Sequence, residues 1–121
     1  MLFDKPSLPK EIMTEIFTDV FRDEPKLKRA GVVGSYARGG SEFKYASDVD
    51  IVLDYDCKTD ELLGEITAIN EILEGQFIRH TDFIHYADIV SRVRDKLRLA
   101  DYYKEMLNDL MWLYERAEVN G

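Results

Sequence analysis

The stretch Asp48-Val49-Asp50-Ile51-Val52-Leu53-Asp54 constrains this chain more than any other. Residues at i and i+2 of a strand share a face, so Val49, Ile51 and Leu53 form an apolar face and Asp48, Asp50 and Asp54 point to the other side. The pattern predicts a strand, with the Asp48 and Asp50 carboxylates only several ångströms apart. Like charges so placed repel, and a shared divalent cation offsets that repulsion. Hard oxygen ligands on an otherwise hydrophobic strand suit Mg²⁺. Spacing alone also describes a strand whose acidic face is merely solvated, and for an isolated Asp-x-Asp that is the commoner case.

The residues ahead of this strand change its meaning. Leu27 to Val33 includes the apolar run Ala30-Gly31-Val32-Val33 and ends at Gly34-Ser35, which predicts a buried strand feeding a tight turn. Glycine lets backbone approach a ligand closely, N–H groups at the start of a helix hold phosphate oxygens, and the serine hydroxyl adds a donor. The flanking residues do not make the G-x-S-x-G of a nucleophile elbow, and nothing else in the chain forms a serine or cysteine nucleophile group. Ser35 to Ser47 is polar and holds Gly39-Gly40, so it reads as a short helix or turn followed by a loop. Strand, Gly-Ser, short helix, loop and Asp-x-Asp together make a phosphate cradle facing a metal pair.

The remaining segments supply a frame. Ser7 and Leu8-Pro9 precede Ile12, Ile16, Val20 and Phe21 at helical spacing, and Arg22-Asp23-Glu24-Pro25 ends that helix. Thr59 to Leu73 repeats the helical spacing and closes at Gly75. Gln76 to Tyr86 is rich in β-branched and aromatic residues and suits a third strand. From Ile89 to Tyr114, apolar residues step by three or four, apart from Lys104, which predicts one long helix or two meeting near Asp101, with Trp112-Leu113-Tyr114 at its end packing into the core. The order helix, strand, strand, helix, strand, helix makes residues 1–121 a single small α/β (α+β) domain, a mixed sheet flanked by helices. His80 and His85 fall on opposite strand faces and read as structural or surface residues. The basic residues Arg92, Arg94, Lys96 and Arg98, flanked by acids, read as a solvated helix face.

Composition removes whole classes of function. A formal charge of −8 over 121 residues argues against strong direct binding to a nucleic-acid backbone. The one cysteine, Cys57, allows no internal disulfide and reads as a small apolar filler, while the N-terminal residues lack the pattern of a signal peptide and no apolar stretch is long enough to cross a membrane. These features lead to the expectation of a soluble, cytoplasmic protein without a membrane partner.

The string GSYARGGSEFKYASDVDIVLDYD, residues 34–56, resembles the signature of the minimal nucleotidyltransferases, small members of the DNA polymerase β-like superfamily, and the resemblance extends over most of the chain. It implies the polymerase β-like fold, a nucleoside triphosphate bound by Gly34 and Ser35, and two Mg²⁺ bound by Asp48 and Asp50. A third carboxylate on a later strand completes such sites. Thr81-Asp82-Phe83-Ile84 resembles that element, which assigns Asp82 as third ligand and proton acceptor, with Asp88 as the alternative. Arg38 has no fixed role in the family; it reads as a phosphate contact or an ordinary exposed arginine. The connection from Ser35 to Asp48 is about two residues longer than usual there, an insertion whose entropic cost is well under about 0.6 kcal/mol.

By the same resemblance, the chain is similar to the antitoxin half of HEPN/MNT toxin–antitoxin pairs. That implies transfer of AMP from ATP to a tyrosine of a partner HEPN ribonuclease toxin, which silences it. The short length fits an acceptor supplied by a macromolecular partner, and the acidic charge is compatible with a basic one. Two other expectations stand beside it: a non-catalytic module that blocks its partner by occlusion, and a transferase acting on a small molecule.

Overall fold

The computed structural model describes residues 9–38, 49–75 and 81–117. Asp48, His80, the loop that precedes Asp48 and the residues ahead of Pro9 lie outside the described residues. Helix α1 (Lys10–Phe21) follows Pro9, whose extended backbone (φ −60°, ψ 146°) suits the position before a first turn. Strand β1 (Leu27–Val33) runs directly into the short helix α2 (Gly34–Arg38). Strand β2 (Val49–Tyr55) leads through a 3-10 turn (Thr59–Leu62) into α3 (Leu63–Gly75). Strand β3 (Thr81–His85) passes without a break into α4 (Tyr86–Arg94), and α5 (Ala100–Asp109) precedes strand β4 (Met111–Glu115).

Among the described residues the four strands form one mixed sheet in the order β3-β2-β1-β4. β1 is antiparallel to both β2 and β4, and β2 is parallel to β3. One face carries Ala30, Val32, Val49, Ile51, Leu53 and Tyr55, packed against Met13, Phe17 and Phe21 of α1 and Ile69 and Leu73 of α3. Full burial of such side chains stabilises by about 1.5–3 kcal/mol each before entropy is counted. The other face carries Val33 and Val52, packed against Ile89 of α4, Met106 and Leu107 of α5, and Trp112. The sheet is thus covered by helices on both sides.

Two elements differ from the sequence expectation. Trp112-Leu113-Tyr114 does not end a helix: it lies in β4, an edge strand whose residues pair with Arg29 to Val32 of β1. Of the two expectations for the C-terminal segment, one long helix or two meeting near Asp101, the second holds: α4 and α5 are separate, and the turn between them holds Lys96 (φ 52°) and Leu99 (φ 67°) in left-handed conformations without a glycine. In α1 the buried stripe is Met13, Phe17 and Phe21, one position on from Ile12, Ile16 and Val20, and Ile12 is 41% exposed. Both stripes have helical spacing, and the bulkier one faces the sheet. Gly31 is required by close approach, because a Cβ there would stand 2.5 Å from the Met111 carbonyl oxygen of β4.

Candidate active site

The site is built where β1 ends and β2 and β3 begin. Register pairs Val33 with Asp50 and Asp50 with Asp82, so these three residues form a row across three adjacent strands. Strand neighbours lie about 4.8 Å apart. Register partners present their side chains to the same face, and Asp50 and Asp82 line one cleft together. Asp88, the alternative third carboxylate, lies on α4, is exposed, and is absent from that cleft.

Gly34 closes the row from β1. Its backbone is left-handed (φ +73°), and a Cβ there would come 3.3 Å from Oδ2 of Asp50. Only glycine adopts that conformation without strain, and only glycine leaves that space beside the carboxylate. Its position is fixed by α2, whose Tyr36 and Ala37 are buried in the core and whose Ala37 carbonyl accepts a hydrogen bond from Lys10 Nζ of α1 at 3.1 Å. Burial first, with a contribution from the Glu11 charge, pushes the Tyr36 hydroxyl up to about 12. Ser35 is the second residue of α2, and its side chain lies outside what is described.

Helix α5 supplies residues that the sequence pattern did not announce. Arg38 pairs with Asp109 at 2.7 Å, both partly exposed. A cleft of about 280 Å³ runs between α2 and α5 and is lined by Gly34, Arg38, Asp50, Tyr102, Glu105 and Asp109 among others. A second cleft, of about 320 Å³, runs from Asp50 to Asp82 and Phe83 and shares Tyr102 and Met106 with the first. Asp101, Glu105 and Asp109 follow the helical repeat, which in sequence looks like any solvated acidic face. Only the docking of α5 beside α2 turns two of them toward Asp50.

The carboxylates Asp50, Asp82, Glu105 and Asp109 outnumber the single cation Arg38 among the lining residues of these two clefts. Such a surface repels a bare triphosphate and attracts a divalent cation, and paired carboxylate oxygens are the donors Mg²⁺ prefers. Among the described residues no group of three or more His, Cys, Asp or Glu side chains assembles a metal site; Asp48 lies outside them. Asp50, Asp82 and the space at Gly34 therefore fit a metal-bound phosphate.

The other singled-out residues are structural. His85 stacks on Tyr55 (3.9 Å between centroids, 9° between planes), and its Nε2 lies 3.2 Å from the Tyr55 carbonyl oxygen. Cys57 packs against the core, and burial raises its thiol above the ordinary range. No helix among the described residues is long and apolar enough to cross a membrane.

A nucleotidyltransferase-domain family model matches residues 14–111, most of the chain. The chain belongs to that family, and nucleotidyl transfer is its general activity. A crystal structure from Sulfolobus solfataricus, whose own description as a nucleotidyltransferase is provisional, is similar at 19% identity and a TM-score of 0.43, covering 88% of this chain and 80% of that one. At that score the assignment rests on the family match. No curated protein matches the chain.

Proposed function

We propose that this chain is a Mg²⁺-dependent nucleotidyltransferase that moves AMP from ATP to a tyrosine hydroxyl of a partner HEPN-type ribonuclease toxin, and so acts as its antitoxin. The observation that carries the transfer step is the row Gly34, Asp50 and Asp82, which sets two carboxylates side by side next to a position kept open by glycine. The ATP donor, the tyrosine acceptor and the HEPN partner are supported by the resemblance of residues 34–56 to the antitoxin group. Two Mg²⁺, when bound, neutralise the triphosphate and lower the pKa of the attacking hydroxyl.

The roles of the chain's own residues, Arg38 apart, are those the resemblance implies. Asp48 and Asp50 hold the metal ions and Asp82 completes the set. Gly34 admits a phosphate oxygen where any side chain would intrude, and Arg38, the last residue of α2, contacts phosphate. The acceptor oxygen bonds to the α-phosphorus, the bond to the bridging oxygen breaks, diphosphate leaves, and the hydroxyl proton passes to Asp82. No covalent enzyme intermediate is needed, because orientation and charge neutralisation supply the rate.

Incubating the chain with ATP, Mg²⁺ and the HEPN-type ribonuclease encoded beside it tests this. A mass gain of one or more AMP units on the ribonuclease, absent with Asp50→Asn, is the expected result. Neutralisation of the ribonuclease without any mass gain, surviving in Asp50→Asn, would establish occlusion instead.

A further inference from the structure

Tyr102 stands where the two clefts meet. It lines the one that runs to Gly34 and Arg38 and also the one that holds Asp50 and Asp82. It is 57% exposed, whereas the other described tyrosines are buried (Tyr36, Tyr55) or half-buried (Tyr86, Tyr103, Tyr114). It is held on the first turn of α5, where the Tyr103 ring packs edge-on against it at 5.3 Å. A tyrosine on α5 therefore lines both clefts, the one with Gly34 and Asp50 and the one with Asp50 and Asp82.

We propose that the site transfers AMP to its own Tyr102, in cis. The inference rests on the transferase reading above: a site that accepts a tyrosine hydroxyl from a partner already has one tethered at its mouth, and a tethered acceptor reaches effective concentrations that no dissolved one matches. The Tyr102 oxygen bonds to the α-phosphorus of ATP, the bond from that phosphorus to the bridging oxygen breaks, diphosphate leaves, and the phenolic proton passes to Asp82. The product carries a nucleotide across both clefts. Modification consequently stops at one unit per chain, because the acceptor hydroxyl is then esterified.

The test uses the purified chain alone with ATP and Mg²⁺, followed by intact mass and fragment mapping. The expected result is a gain of one AMP unit on Tyr102, at a fractional rate independent of protein concentration, lost in Asp50→Asn and in Tyr102→Phe. An adduct on a different residue, label persisting in Tyr102→Phe, or a fractional rate that rises with protein concentration would each overturn self-modification in cis. Absence of any adduct on a chain that does modify a supplied HEPN-type ribonuclease would overturn it while leaving the transferase function intact. Absence of both, together with no Mg²⁺-dependent ATP binding by calorimetry, would remove the two together.

Discussion

The two ends of β2 carry the same residue on the same face and use it in opposite ways. At the far end, Asp54 accepts two hydrogen bonds from Arg29, at 3.0 Å from Nε and 2.9 Å from Nη2. The Arg29 guanidinium lies 4.1 Å from the Trp112 ring centroid and 5.1 Å from that of Tyr86. There the carboxylate has its countercharge built in, and the pair ties β1 to β2 beneath an aromatic cover. At the near end, Asp50 is placed opposite another carboxylate, Asp82, and beside the gap at Gly34. A compensated acid is architecture. An acid set against a second acid, at the edge of an open cleft, is an arrangement that becomes favourable when a cation arrives.

Exchanging amide for carboxylate at each end gives the largest expected contrast. Asp50→Asn should lower transfer by about two to three orders of magnitude, the scale seen when one preorganised electrostatic group is removed from a site. Its melting temperature should change less than that of Asp54→Asn. Asp54→Asn should show the reverse: transfer near wild type, and a stability loss of about 1–3 kcal/mol from the weakened hold on Arg29. Paired activity assays and thermal melts of the two variants decide it, and similar behaviour at both ends would dissolve the distinction.

Glycine substitutions sharpen the same contrast at the next level. Gly34→Ala places a Cβ 3.3 Å from Asp50 Oδ2 on a backbone at φ +73°. Strain of that kind costs about 1–3 kcal/mol, and triphosphate binding should weaken beyond what the stability loss explains. Gly31→Ala drives a Cβ to 2.5 Å from the Met111 carbonyl oxygen. That change should destabilise the β1–β4 pairing, while whatever protein stays folded binds triphosphate normally. Titration of nucleotide under conditions where each variant is folded separates the two.

What the sequence disclosed follows the same division between local and long-range causes. β1 and β2 were legible because alternation and an apolar run ending at glycine are local patterns, whereas Asp82 was singled out only through the family resemblance of Thr81-Asp82-Phe83-Ile84, and the register now sets it opposite Asp50. β4 was not. Met111-Trp112-Leu113-Tyr114 is apolar throughout because it is packed on both sides, by α1 through Tyr114 and by Arg29 through Trp112, and so short a continuous apolar run does not reveal its period. The break between α4 and α5 was only half legible, as one of two alternatives and near Asp101, because Lys96 and Leu99 adopt left-handed backbones where sequence usually signals with glycine. The contribution of α5 to the site was not legible: Tyr102, Glu105 and Asp109 acquire meaning only once the helix packs beside the Asp50 end of β2.

Arg38 offers a smaller test. Its ion pair with Asp109 is exposed enough that water screens most of its worth, and such pairs contribute about 0–1 kcal/mol. Asp109→Asn should therefore shift stability by less than about 1 kcal/mol. If Arg38 contacts phosphate, Arg38→Gln should raise KM for the triphosphate by about tenfold, equivalent to about 1.4 kcal/mol, with kcat little changed. Equal kinetics for wild type and Arg38→Gln would make this arginine an ordinary surface cation and leave phosphate binding to Gly34, Ser35 and the metal ions.

The last expected effect, confined to high pH, concerns how the Asp50 end is anchored. Tyr36 holds α2, and with it Gly34, against the core at 3% exposure, and its hydroxyl is pushed up to about 12 by burial. In the unfolded chain the same phenol ionises near its ordinary value of about 10. Below that value both states are neutral and the contribution to stability is complete. As pH rises from about 10 toward 12 the unfolded chain binds fewer protons than the folded one, so stability falls, by at most about 1.4 kcal/mol per pH unit for this one proton. Lysines titrate in the same range, so the informative comparison is with Tyr36→Phe, which cannot ionise. Its denaturant midpoint should decline less steeply than that of wild type over this window. Parallel declines would mean that α2 is held by Ala37 and the Lys10 hydrogen bond, and that the tyrosine hydroxyl reaches solvent before the helix lets go.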